Sequence, residues 1–114
     1  MTKTNYIHAS KNVFIDYIVR YITKNYSNKI NKIVVFGESV NREIRDPQSL
    51  DIAVGLVDKS DANDYNMLGD ILSYMGEIVT EGDCTLTPIA DDVVNKSCIN
   101  EINNGVIVYD TSNK

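Results

Sequence analysis

Apolar residues recur at helical intervals from about residue 9 to 26, where Phe14, Tyr17, Ile18, Tyr21 and Ile22 share a face. The spacing predicts an amphipathic helix with Tyr17 and Tyr21 as packing residues, ended by Ser27-Asn28. The pattern then shortens. Ile30 to Phe36 reads as a buried strand. Gly37 to Ser49 has no clean period and carries Pro47, which predicts a loop or a helical turn. From Leu50 to Leu56 the alternation is strand-like, with Asp51, Ala53 and Gly55 on one face and Ile52, Val54 and Leu56 on the other. Lys59-Ser60-Asp61 offers a helix N-cap, Leu68, Ile71, Leu72 and Met75 line one helical face, and Gly76 supplies a stop. Glu77 to Pro88 is expected as a third strand, interrupted at Gly82. Asp91-Asp92 then caps a last helix with Val94, Cys98, Ile99 and Ile102 inward, Gly105 ends it, and Val106 to Tyr109 closes the chain as a strand. The order α-β-β-α-β-α-β predicts an α/β (α+β) domain, a small mixed sheet with helices packed on one side.

Composition narrows the class. The 114 residues suit one domain spanning 1–114, and 43 % hydrophobic with 24 % charged residues is a globular balance. No apolar run has the length of a membrane span or of a secretory signal, so a cytoplasmic location is expected. A formal charge of −5 argues against an extended nucleic-acid footprint, although a local Arg or a metal ion can reverse the field inside one cleft. Cys84 and Cys98 fall in apolar-patterned segments and read as buried, reduced thiols. The single histidine, His8, reads as a surface residue and excludes a Ser-His-Asp or Cys-His catalytic arrangement.

The candidate chemistry lies between residues 35 and 54. An apolar strand breaks at Gly37, a charged loop follows, and the next strand opens with Asp51 inside an apolar run. A glycine turn lets backbone N–H groups approach phosphate oxygens, and a carboxylate on the neighbouring strand offers a hard ligand to magnesium.

This pattern resembles the nucleotidyltransferase superfamily, with its polymerase-beta-like fold, and in particular its minimal bacterial members. In those the motif is Gly-Ser, then about ten residues, then Asp-x-Asp in an apolar strand, with a third Asp on a later strand. Val34-Val35-Phe36-Gly37 matches the strand and turn, Arg45 to Val54 matches the stretch that ends in Asp-x-Asp, and Asn104 to Tyr109 resembles the helix stop and terminal strand. The resemblance implies transfer of a nucleoside monophosphate from a nucleoside triphosphate, usually ATP, to a protein or small acceptor, with Mg2+ ions offsetting charge at phosphorus. Carried over by position, Asp51 stands at the second motif carboxylate, Ser49 at the first and Asp83 at the third. Gly37, Glu38 and Ser39 form the phosphate-facing turn, and Arg42 and Arg45 are candidates to grip phosphate.

Two positions depart from that pattern. Ser49 is a neutral hydroxyl where the chemistry uses an anion, and loss of a bridging carboxylate costs on the order of several kcal/mol of metal affinity. Glu38 replaces the serine after the glycine and sets a negative charge where triphosphate oxygens would lie. A loop that turned Glu38 toward Asp51 would restore three carboxylates, Glu38, Asp51 and Asp83. Each residue also has a plainer reading: Gly37 as a turn, Asp51 as a strand-end carboxylate, Asp83 as a solvent-facing strand residue, and Arg42 and Arg45 as loop residues paired with Glu43 or Asp46. Asp61 and Asp64 read as carboxylates that favour a helix start.

Three functions therefore stand open. The first is an active metal-dependent nucleotidyltransferase. The second is a degenerate member, a pseudoenzyme that works through protein contact, since minimal relatives pair with a helical toxin subunit as antitoxin. The third is an unrelated small acidic α/β binding domain.

Overall fold

The computed structural model describes residues 6–80, 82–89 and 101–111. Helix α1 (Ala9–Tyr26) leads into β1 (Ile30–Phe36), a 3-10 turn (Gly37–Val40) and β2 (Ser49–Leu56). A second 3-10 turn (Lys59–Asn63) precedes α2 (Tyr65–Ile78), β3 (Asp83–Ile89) and β4 (Val106–Asp110). Residues 101–103 are helical; the rest of the expected last helix, Cys98 included, lies outside the described residues. Among the described residues no helix is long and apolar enough to cross a membrane.

The four strands form one mixed sheet in the order β3-β2-β1-β4. β1 pairs antiparallel with β2 and with β4, whereas β2 and β3 run parallel. A parallel neighbour cannot be reached by a hairpin, and α2 provides the crossover. The central strands are buried on both faces, which explains why β1 reads as an apolar run rather than an alternation.

One sheet face packs under the helices. Ile33 and Val35 of β1 and Leu50, Ile52 and Val54 of β2 meet Ile15, Ile18 and Ile22 of α1 and Met67, Ile71 and Met75 of α2. On the opposite face Val34, Phe36 and Ala53 pack with Ile102, so the last helical turn serves the side that α1 and α2 leave open.

The helix limits differ from the sequence expectation in ways with local causes. Asp58 caps the 3-10 turn through Ser60 N, and Asp64 caps α2 through Met67 N, so α2 starts after Asp64 rather than at Lys59-Ser60-Asp61. Gly76 does not end the helix: it lies on the exposed side, and α2 continues to Ile78, which shortens the expected third strand to Asp83–Ile89. The buried stripe is Met67, Ile71 and Met75, with Leu72 turned outward at 42 % exposure. Tyr17 is 50 % exposed, which corrects its reading as a packing residue.

Tyr21 and Tyr26 join the two helices differently. The Tyr21 hydroxyl donates to both Asp70 oxygens (3.0 and 2.8 Å), the Tyr26 hydroxyl to one (2.5 Å), and the Tyr21 ring stacks on Tyr74 at 4.0 Å. Hydrogen bonds from Tyr26 and Tyr21 lower the Asp70 pKa, while the bond to Asp70 pushes the Tyr26 phenol up to about 12.

The burial pattern separates two adjacent leucine-type positions. Ile71→Ala should cost about 2–5 kcal/mol in urea denaturation, and Leu72→Ala within about 1 kcal/mol of neutral. The tyrosine clasp sets a pH window. Tyr26 keeps its proton more tightly in the folded chain, so its contribution is full below the unfolded phenol value and is lost as pH rises through about 12. Asp70, with its lowered value, contributes above the ordinary carboxylate range and is lost in acid. Thermal melting of Asp70→Asn should therefore show a shallower alkaline decline than the parent; identical alkaline limbs would contradict the clasp.

Candidate functional site

β1 ends where Gly37 turns the chain at φ +77°, a conformation that favours glycine. The turn also leaves no room for a side chain, because a Cβ on Gly37 would collide with Asp51 Oδ2. Asp51 is the register partner of Phe36, so the last residue of β1 and the carboxylate of β2 lie side by side. The structure thus brings Gly37 and Asp51 together, as the spacing predicted.

On the other flank of β2, the parallel register sets Asp51 beside Thr85 and Ser49 beside Asp83. Residues two apart on a strand share a face, so Ser49, Asp51, Asp83 and Thr85 all point away from α1 and α2. Thr85 Oγ1 donates to Asp51 Oδ1 at 2.7 Å, and Ser49 Oγ donates to Asp51 Oδ2 at 3.1 Å. The half-buried carboxylate is thereby bound by two neutral hydroxyls, one on each oxygen. Thr85 belongs to the site although the sequence does not single it out, since the β2–β3 register is not written in either strand alone.

The turn residues are engaged with protein rather than held free. Ser39 is fully buried and donates to Ser49 O at 2.8 Å, fastening the 3-10 turn to the start of β2. Glu38 Oε1 accepts from Gln48 N at 2.9 Å, so this carboxylate is committed to the loop. Gln48 O in turn accepts from Asp83 N at 2.8 Å, and Gly82, at φ +84°, allows that approach because any Cβ there would strike Gln48 O. Arg42 lies with its guanidinium 4.8 Å from the centroid of the Tyr6 ring. Arg45 is exposed, and its carbonyl accepts from His8 Nε2 at 2.8 Å.

His8 is therefore not a bystander. Its Nδ1 accepts from Ser10 N at the start of α1 (3.3 Å), and its backbone N–H donates to Ser39 O at 2.7 Å. The first caps the helix; the second, with the bond to Arg45 O, brings the helix start to the turn and loop. Cys84 lies on the helix-facing side of β3, half-buried; burial pushes its thiol up, with Asp83 and Asp51 adding to the effect. It is therefore a protonated packing group at neutral pH.

The donor set does not fit a paired-cation centre as it stands. Asp51 already receives a hydroxyl on each oxygen, the position two residues before it is neutral, and Asp83 stands one strand away beside that neutral position. Among the described residues no three His, Cys, Asp or Glu side chains gather closely enough to hold a metal ion. No protein-family model, curated protein or solved structure matches this chain.

The Gly37–Asp51 contact can be tested on stability. Gly37→Ala should cost about 2 kcal/mol or more, from the left-handed backbone and the displaced carboxylate together. Gly69, in α2 with open space around a Cβ, supplies the control: Gly69→Ala should be neutral or stabilising by up to about 1 kcal/mol. Equal urea midpoints for the two variants would rule out the close approach.

Proposed function

We propose that this chain is a degenerate minimal nucleotidyltransferase, a cytoplasmic pseudoenzyme of that fold that acts through binding to another protein. The observation that carries the reading is the contact of Gly37 with Asp51 across β1 and β2, with Ser49 donating its hydroxyl to the same carboxylate. A glycine turn against a strand carboxylate is the geometry the family motif requires. A serine bound to that carboxylate is what the motif becomes when its first anion is lost. The mixed sheet, with the third-strand Asp83 on the same face as Asp51, supports the assignment.

In this reading the face retains a scaffold for nucleotide and magnesium but holds too little negative charge to seat two cations. Glu38, tied to Gln48 N, does not supply the missing ligand. The natural partner is a helical toxin-type subunit, for which the chain serves as antitoxin. The alternative, an active enzyme transferring AMP, requires Asp51 and Asp83 to suffice with Ser49 neutral.

Ser49→Asp separates the two. Its new carboxylate would stand beside Asp83 across about 4.8 Å of sheet and on the face of Asp51. In magnesium-free buffer the variant should melt below the parent, from repulsion among three anions, and magnesium should raise its melting temperature while leaving the parent unmoved. With labelled ATP and magnesium the parent should transfer no label above background and the variant should gain transfer. Robust transfer by the parent would overturn the degenerate reading. A variant indifferent to magnesium would overturn the family assignment itself.

A further inference from the structure

A second feature lies around the edge of the sheet from Asp51. A cavity of about 510 Å³ opens between the first turns of α1 and the loop that precedes β2. Ser10, Lys11 and Phe14 form its helix wall, and Asp46, Pro47, Gln48 and Gly82 form the other. Its volume falls within the range of small-molecule sites, about 300–1,000 Å³.

Lys11 sets it apart. The residue is 5 % exposed, a rare state for lysine without a partner. Its backbone N–H bonds to His8 O, but among the described residues the ion pairs are Arg20–Asp16 and Lys29–Asp64, and no hydrogen bond satisfies the ammonium. No side-chain nitrogen or oxygen among the described residues is both enclosed and unpartnered, so Nζ keeps contact with solvent, and Lys11 is part of the cavity wall. The stem is thus packed inside while the ammonium reaches solvent with no protein anion to match it.

We propose that this cavity binds a small organic anion, with Lys11 as its counter-charge. The first turn of α1 forms this wall, and although His8 already occupies the Ser10 and Lys11 N–H groups, the positive end of the helix dipole favours negative charge there. Phe14 and Pro47 offer apolar surface for the body of the ligand, and the Ser10 hydroxyl adds a polar group at the rim. Asp46 opposes the anion from the exposed side, which limits affinity. The site does not depend on the nucleotidyltransferase reading, because Lys11 is on the helix side of the sheet and Asp51 on the other.

Calorimetric titration of the full chain with inorganic phosphate, AMP and malonate tests this and distinguishes phosphate from carboxylate. At least one probe should bind in one-to-one ratio, about tenfold or more weaker in Lys11→Met. The same affinity should survive in Asp51→Asn, which removes the other face from the comparison. Lys11→Met should melt no lower than the parent, since it keeps the packed aliphatic stem and removes a charge that no protein anion pairs. Asp46→Asn, at an exposed loop position, should tighten binding severalfold and keeps the question answerable if Lys11→Met fails to fold. No heat from any probe at millimolar concentration would overturn the proposal. So would affinity unchanged in Lys11→Met and Asp46→Asn alike.

Discussion

The arrangement depends on a side chain that is absent. Because Gly37 carries no Cβ, the Asp51 carboxylate can occupy the space beside the end of β1. That allows β1 to stop at Phe36 and turn at once into the 3-10 segment, which carries Ser39 inward to bond Ser49 O. The start of β2 is thereby held from the β1 side, while the Gln48–Asp83 bond holds it from the β3 side. The position of the carboxylate follows from backbone geometry that favours glycine at residue 37.

The Asp51 carboxylate finds its hydrogen-bond donors within the protein. A carboxylate can accept several hydrogen bonds, and here two hydroxyls supply charge-assisted ones directly. Asp51 thus spreads its negative charge over two neutral donors, with Asp83 on the same face.

β2 was legible in the chain because period-two alternation is local: Asp51 with Ala53 on one face, Ile52 with Val54 on the other, all as found. The phase of α2 was not, since Leu68 and Leu72 are as apolar as Met67 and Ile71 and three acids compete to cap the helix. Tertiary packing decides among such equivalents. Thr85 and His8 escaped for another reason. Their partners lie 34 and 37 residues away, and a parallel register or a side-chain bond to a distant carbonyl depends on crossover geometry rather than neighbouring residues. Lys11 sits at a core-facing turn of α1 where its charge argues for solvent, so pattern alone would place it outside.

Segments between strands usually supply the mobility of a domain. Here the stretch from Asn41 to Gln48 is clasped at two points: Glu38 receives Gln48 N, and His8 reaches Arg45 O from the other side. With Pro47 buried within it, this connection has lost much of its backbone freedom during folding. A molecule docking against it would meet a wall already in place, and little of its binding energy would be spent on ordering the chain.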